Sequence, residues 1–106
     1  MSQNRYSIKF TSIAEVDLNG TYEYIYEELF DEAAANNLME KIETDIMRLR
    51  EYPFYCSYVS DKSLKARGYR RLIIDNYIVF YLVNEDEQQV IIMRILYGAR
   101  NYENLL

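Results

Sequence analysis

The chain is 106 residues long, half of them hydrophobic, with one proline, three glycines, no histidine and a formal net charge of −5. This length and composition predict a single globular domain over residues 1–106 and exclude a flexible linker or a tail. Because Cys56 is the only cysteine, an internal disulfide is also excluded and a reducing compartment is favoured.

The sequence contains few of the features that bind a metal ion or a cofactor. Histidine, the commonest metal ligand and general base, is absent, cysteine occurs once, and there is no glycine-rich phosphate loop. We therefore expect neither a metal nor a cofactor. The N-terminal segment has no apolar signal core, and no run approaches the ~18 apolar residues that a membrane helix needs. These features predict a soluble, cytoplasmic protein that does not interact with membranes.

A strand and a helix are predicted at the start of the chain. Residues 5–10 alternate polar and apolar side chains, as a half-buried strand does. Thr11 or Ser12 is a suitable N-cap for a helix over about residues 12–29. Gly20 inside this helix predicts either tight packing or a local irregularity. The apolar stripe of the helix consists of Ala14, Leu18, Tyr22, Ile25 and Leu29.

A second helix is predicted over residues 32–51, with Asp31 as its N-cap and Pro53 just beyond its end. Two helices so close in sequence form a hairpin, which must lay its apolar face on another part of the fold. The buried stripe of the second helix consists of Ala35, Leu38, Ile42, Ile46 and Leu49, and its water-facing residues include Glu40, Lys41, Glu43 and Arg48.

Three strands are predicted in the C-terminal half, at residues 69–74, 77–83 and 89–97. Each is rich in isoleucine, valine and tyrosine, and the breaks between them are so short that neighbours must pair as an antiparallel meander. The helical hairpin would pack on this meander. The predicted class is therefore α+β, with an N-terminal strand and a helical hairpin packed on a mostly antiparallel four-stranded sheet.

The middle strand of the meander is apolar on both faces, because Tyr77, Val79, Tyr81 and Val83 share one face and Ile78, Phe80 and Leu82 the other. Both faces should therefore be covered, one by the helices and the other by a loop or a partner. Left uncovered, the second face would be an apolar patch of the kind that marks an interaction site.

Residues 52–67 form a long connection without clear periodicity. Such a segment is either a functional loop or a structural belt over the edge of the sheet, and the belt is the favoured interpretation. Cys56 lies within it. In a chain without histidine this thiol is a weak nucleophile candidate, so we expect a packing role.

Charge is distributed unevenly along the chain. Residues 15–51 contain eleven acids and three bases, whereas the rest contains nine bases and six acids. Five cations occur within ten residues that include no acid, and Arg100 follows the last strand. These cations could bind phosphate or stabilise charge in a transition state, or they could form salt bridges with the acidic helices. The clustered cations are Lys62, Lys65, Arg67, Arg70 and Arg71.

The motif order along nearly the whole chain resembles the RelE/ParE superfamily of type II toxin–antitoxin toxins. The pattern runs from an A-x-x-D-L helix through G-Y-R-R-L and N-Y-x-V-F-Y-x-V to I-x-R-I-L-Y-G-A-R-N-Y. The matching residues are Ala14, Asp17, Leu18, Tyr24, Ile25, Pro53, Arg70, Arg71, Leu72, Tyr77, Tyr81, Arg94, Gly98, Arg100 and Tyr102.

The resemblance implies a cognate antitoxin that wraps the toxin, and one of two activities. RelE-like members cleave messenger RNA in the ribosomal A site. In that case Arg71 and Arg100 would stabilise charge while a 2′-OH attacks the adjacent phosphate, and Tyr97 or Tyr102 would transfer a proton. ParE-like members poison DNA gyrase. A third alternative is a binding protein that has lost toxicity.

Two departures from the RelE-like pattern favour the ParE-like activity. Ile78 stands where RelE-like toxins carry an arginine, and Tyr97 stands where a histidine is often found. We therefore expect a toxin that acts on DNA gyrase or another protein target, with a ribosome-dependent mRNA endoribonuclease as the alternative. The residues expected to contact the target are Lys62, Lys65, Arg67 and Arg70, and those expected under the antitoxin are Ile78, Phe80 and Leu82.

Overall fold

The helices and strands follow one another in the predicted order and confirm the α+β class. The structure is a computed structural model that describes residues 5–28, 30–98 and 105–106. Within these ranges no helix is long and apolar enough to cross a membrane. The elements are β1 (Ser7–Phe10), α1 (Ser12–Glu23), a π-helical turn (Tyr24–Glu28), α2 (Glu32–Arg48), α3 (Lys62–Ala66), β2 (Arg70–Ile74), β3 (Tyr77–Asn84) and β4 (Gln89–Tyr97).

Both long helices begin at predicted side-chain caps. Thr11 Oγ1 accepts a hydrogen bond from the Ala14 amide at 3.1 Å, and Asp31 Oδ1 accepts one from the Ala34 amide at 2.9 Å. These bonds satisfy amides that have no partner inside the first helical turn. After Arg48 the chain continues through tight turns, so Pro53 lies beyond the end of α2 as predicted.

Gly20 is not tightly packed, because a Cβ atom built there would meet no atom within 4 Å. Of the two expectations for this residue, the local irregularity is the one observed. It occurs one turn later, where Tyr24–Glu28 wind into a single π-helical turn. A π turn shifts the angular position of the side chains that follow it. Here Tyr24 is exposed while Ile25 is buried.

The four strands form one sheet in the order β1-β4-β3-β2. The meander β2-β3-β4 is antiparallel as predicted, and β1 pairs parallel to β4. A β-bulge interrupts the last ladder, because Phe80 pairs with Arg94 whereas Tyr81 pairs with Ile92. Met93 is then the extra residue, and the alternation of side chains between the two faces of β4 reverses at this point.

The main core lies between the helices and the sheet. The whole predicted stripe of α2 is buried in it, whereas Leu18 and Tyr22 of α1 are half-buried and Leu29 lies outside the described residues. The buried members are Ala14, Ile25, Ala35, Leu38, Ile42, Ile46, Leu49, Leu72, Ile74, Val79, Tyr81, Val90, Ile92 and Ile95.

A smaller core lies on the other face of the sheet. Phe80 is 0% exposed there, and Ile78 and Leu82 are half-buried against the same cluster. We expected an antitoxin to cover these three side chains, and a loop was the other cover that the pattern allowed. That expectation is wrong at Phe80, because the chain covers this face with residues of its own. The buried members of the smaller core are Val59, Leu64, Tyr69, Phe80 and Leu96.

The connection at residues 52–67 is a structural belt, as the favoured interpretation held. The Val59 amide donates to the Tyr69 carbonyl at 3.0 Å, and the Arg71 amide donates to the Ser57 carbonyl at 3.1 Å. The belt therefore runs along β2, the edge strand of the sheet. It also contains helix α3, which was not predicted because five residues are too few for a periodic pattern. Cys56 is half-buried and packs against the main core.

Tyr81 ties the belt to the sheet. Its side chain is fully buried, and its hydroxyl donates to the Pro53 carbonyl at 3.0 Å. Tyr81→Phe would leave that carbonyl without its donor, so we expect the free energy of unfolding to fall by about 1–2 kcal/mol. Urea unfolding at pH 7 measures this loss. Tyr52→Phe, at a tyrosine that is 58% exposed, is the matched control and should change little.

The same variant should alter unfolding at high pH. Burial is the main cause that raises the pKa of the Tyr81 phenol. A group whose pKa is raised on folding stabilises the fold fully below its unfolded pKa, here about 10, and that stabilisation is lost as the pH rises above it. Wild type should therefore lose stability above pH 10 more steeply than Tyr81→Phe. Equal slopes would contradict a protonated, buried phenol.

Candidate functional site

Asp17 on α1 and Arg94 on β4 form a nearly buried ion pair. Nε and Nη2 of Arg94 donate to the two carboxylate oxygens at 2.8 and 3.0 Å, and only 15% of the Arg94 side chain and 11% of the Asp17 side chain are exposed. The carboxylate also accepts the Ile95 amide at 3.0 Å, and Arg94 Nη1 donates to the Leu105 carbonyl at 3.0 Å. The hydrogen bonds that Arg94 donates to the Asp17 carboxylate raise the pKa of Arg94. This network holds α1, the end of β4 and Leu105 together.

Three of the predicted target-binding cations lie at the surface on and after α3. Lys62 and Lys65 are exposed on the helix, and the exposed Arg67 stacks on the ring of Tyr69 at 5.1 Å. In the part of the chain that the structure describes, no member of the five-cation cluster forms an ion pair. Salt bridges to the acidic helices therefore do not account for this cluster.

Arg70 has a structural role in the belt. Its Nη1 donates to the carbonyls of Cys56 at 2.7 Å and Phe54 at 3.3 Å, and its guanidinium lies 4.1 Å from the ring centre of Tyr58. A planar guanidinium can donate and stack at the same time. Arg70 was predicted to contact the target, but in the structure it holds the belt on β2. Together with Lys65 it lines a shallow cleft of about 430 Å³.

The described catalytic candidates, Arg71 and Tyr97, do not converge. Arg71 pairs with Phe80 across the ladder and so points to the face of the smaller core. Tyr97 pairs with Tyr77, which packs against the main core on the helix side. Arg71 and Tyr97 thus lie on opposite faces of the sheet. The candidates outside the described residues are Arg100 and Tyr102.

Three tyrosines line a cavity between α1, the π turn, α2 and the turn that joins β2 to β3. Its volume is about 910 Å³, and Tyr24, Tyr77 and Tyr97 are among the residues that line it. The rings of Tyr77 and Tyr97 meet edge to face, with centroids 5.6 Å apart. Burial first, and then the nearby phenols of Tyr24 and Tyr97, raise the pKa of Tyr77. We call this space the tyrosine cavity.

Both carboxylates at the tyrosine cavity are already paired within the chain. Asp17 binds Arg94, and Asp75 accepts a hydrogen bond from Lys41 Nζ at 2.6 Å. Gly98 follows the strand end at this rim and donates its amide to a carbonyl of the β2–β3 turn at 2.7 Å. A Cβ atom at Gly98 would come within 3.2 Å of that carbonyl, so a larger residue would press the turn outward by a few tenths of an ångström. In the described ranges no group of acidic or cysteine side chains could hold a metal ion.

Sequence reasoning missed both the ion pair and the tyrosine cavity, although both had signals in the sequence. Asp17, Arg94, Tyr24 and Tyr77 all belong to the pattern that carries the family resemblance. An arginine inside an otherwise apolar strand is itself a signal, because a charge in such a place needs a partner. Its partner is 77 positions away, and local periodicity does not connect residues at that distance.

Comparisons with known proteins agree with this fold. The chromosomal ParDE toxin–antitoxin system of P. aeruginosa is similar, with a TM-score of 0.70 and 19% identity over 88% of this chain and 96% of that one. The toxin–antitoxin complex RelBE2 of Mycobacterium tuberculosis is similar, with a TM-score of 0.65 and 15% identity over 88% of this chain and 98% of that one. No curated protein matches the sequence.

The family comparison covers nearly the whole chain. A family described as the ParE toxin of the type II toxin–antitoxin system parDE matches residues 8–102. That span includes both helices, the belt, the meander and all three rings of the tyrosine cavity. The chain therefore belongs to the ParE toxin family of type II toxin–antitoxin systems.

Proposed function

We propose that this toxin arrests growth by binding a protein target, DNA gyrase or another, and that it is not a nuclease. The supporting observation is the placement of Arg71 and Tyr97 on opposite faces of the sheet. RNA cleavage without a metal needs a charge-stabilising group and a proton-transfer group within reach of one phosphate. The two described candidates do not meet that requirement.

The surface that we assign to the target is made of Arg71, which points to the face of the smaller core, and of three exposed cations on and after α3, the helix whose Leu64 packs in that core. We call it the basic surface; it consists of Lys62, Lys65, Arg67 and Arg71. Arg70 is left out because its donors are bound to belt carbonyls. On a chain with a net charge of −5, such a surface concentrates positive potential on one side. That asymmetry orients an encounter with an acidic partner surface and raises the association rate.

We further propose that a cognate antitoxin neutralises the toxin in the cytoplasm. Support comes from the two similar structures, which are a ParDE system and a RelBE2 complex. The antitoxin need not cover Phe80, which the belt already buries. Its docking surface is therefore to be sought among the exposed apolar side chains elsewhere on the fold.

Induction of the wild-type gene should arrest growth with DNA breakage and an SOS response, without ribosome-dependent mRNA cleavage.

The double variant Lys65→Ala/Arg71→Ala should weaken target binding on the order of tenfold and weaken the arrest, because two cations are removed from the basic surface. Arg5→Ala is the matched control. It removes an exposed cation that is paired with Glu51 at 2.7 Å, and it should leave the arrest unchanged.

Two further measurements are needed to interpret this growth experiment. Circular dichroism must show that the variants are folded, and ribosome profiling must be done on wild type and variants in parallel. Arg100→Ala, at a residue beyond the described ranges, should also weaken the arrest. Codon-position cleavage of mRNA by wild type that Arg71→Ala and Arg100→Ala both abolish would overturn the proposal and favour the endoribonuclease.

A further inference from the structure

Three tyrosines, Tyr24, Tyr77 and Tyr97, line the tyrosine cavity. The rings of Tyr77 and Tyr97 meet edge to face, with planes at 77° and centroids 5.6 Å apart. Tyr24 is 54% exposed. The face of an aromatic ring carries partial negative charge and attracts a cation within about 6 Å of its centre. Three phenol rings on one cavity are an aromatic surface suited to a cation.

The electrostatic surroundings also favour a positive ligand. Residues 15–51, which supply the helical walls, contain eleven acids and three bases. Both carboxylates that line the cavity already form ion pairs within the chain, Asp17 with Arg94 and Asp75 with Lys41. The acidic helices therefore supply a general attraction, and the ring faces supply the direct contact.

The size of the cavity and its apolar walls leave room for more than a single cationic group. A volume of about 910 Å³ lies at the upper end of the range for small-molecule pockets. Ile25 and Leu38 form part of its apolar wall. Val16 on its rim is 67% exposed, and Ile13 one turn earlier is 48% exposed, so apolar surface continues along α1. A ligand that matches these features carries apolar side chains beside a cation.

We propose that the tyrosine cavity receives an arginine side chain from an amphipathic segment of a partner protein, with the apolar neighbours of that arginine packed on Val16 and Ile13. Arginine suits the site better than lysine because its guanidinium is planar, stacks on aromatic faces and is weakly hydrated. The identification of that partner as the antitoxin rests on the proposed function. The binding chemistry itself does not depend on it.

The test compares two capped pentapeptides that differ only in charge. Each has one central residue between leucines and alanines, arginine in one peptide and its neutral analogue citrulline in the other. Binding to the full chain is followed by NMR of proteins with labelled tyrosine rings. We expect the arginine peptide to bind about 5- to 10-fold more tightly than the citrulline peptide and to shift the Tyr77 and Tyr97 signals.

Two variants test whether the rings are responsible. Tyr24→Leu and Tyr97→Leu change exposed tyrosines, so the fold should survive, and each should remove most of the preference for arginine over citrulline. Tyr52→Leu, at an exposed tyrosine outside the cavity, is the control and should keep the preference. Melting curves of all three variants confirm that they are folded.

Every other outcome overturns the inference. Equal binding of the two peptides would mean that the cavity does not recognise charge, and binding of neither would mean that it is not a docking site. A preference for arginine that survives Tyr97→Leu and Tyr24→Leu would place the cation on the acidic helices instead. None of these results affects the growth-arrest experiment, because that experiment tests substitutions in the basic surface on the other face of the sheet.

Discussion

Asp17→Ala should lower the free energy of unfolding by about 3 kcal/mol, because it leaves the nearly buried guanidinium of Arg94 without its carboxylate partner. Arg94 would lose both hydrogen bonds to the carboxylate, and the Ile95 amide would lose its acceptor. We place the effect at the lower end of the range for buried pairs because 11–15% of each side chain remains exposed. Urea unfolding of both proteins at the same pH measures the difference.

An exposed pair provides the matched control for Asp17. Asp75 and Lys41 are joined at 2.6 Å, but about half of each side chain is exposed. Asp75→Asn should therefore cost less than about 1 kcal/mol. Asparagine also tolerates the backbone φ of 53° at this turn position. If Asp17→Ala costs no more than Asp75→Asn, the Asp17–Arg94 pair does not stabilise the fold as we describe.

A double variant separates the cost of leaving Arg94 unpaired from the cost of losing the hydrogen bonds between Asp17 and Arg94. Adding Arg94→Met to Asp17→Ala removes the unpaired guanidinium and leaves an apolar chain of similar length. Replacement of both partners of a buried pair by apolar groups is often close to neutral. We therefore expect the double variant to recover part of the stability that Asp17→Ala loses.

Phe80→Ala should lower the free energy of unfolding by about 3–5 kcal/mol, the cost of removing a buried phenylalanine ring from a packed core. The side chain is 0% exposed and lies in the smaller core with Leu64 and Tyr69. Val59 and Leu64 of the belt would lose a packing partner on β3. Equilibrium unfolding in urea gives the size of the loss, and a loss under about 1 kcal/mol would contradict this packing.

Ile73→Ala is the control for Phe80. Ile73 lies on strand β2 but is 60% exposed, so its truncation should cost well under 1 kcal/mol. Phe80→Asp should unfold the protein, since it would bury a carboxylate without a partner. A loss of antitoxin binding by Phe80→Asp would therefore report on the fold. Substitutions at Tyr24 and Tyr97 are better probes of docking because both side chains are exposed.

The burial of Phe80 changes where a partner can act on this toxin. The sheet is covered on the helix side by α1 and α2 and on the other side by the belt. Two surfaces of the described residues are the ones that we propose for partners: the basic surface, three of whose four cations lie on the belt itself, and the tyrosine cavity at the ends of the strands. Under these proposals the target and the antitoxin use opposite faces of the sheet, so variants in one surface test one partner without altering the other.

The elements of the fold could be predicted from the sequence because their causes are local. Helix α2 is specified by Asp31 at its start, by apolar residues every three or four positions, and by Pro53 beyond its end. Strand β3 is specified by strict alternation, which correctly divides its side chains between the two faces of the sheet but does not say that the chain itself covers the second face. Periodicity decides which side of an element is buried, because side-chain direction follows directly from backbone geometry.

The tertiary structure alone decided what covers each surface and which distant residues meet. The bulge at Met93 reverses the alternation of β4, so Val90, Ile92 and Ile95 all face the helices, which simple alternation does not allow. The Asp17–Arg94 pair spans 77 positions, and the gathering of Tyr24 with Tyr77 depends on how the hairpin crosses the sheet. Long-range packing brings these distant residues together. The residues next to each of them in the sequence do not indicate which distant residue it will contact.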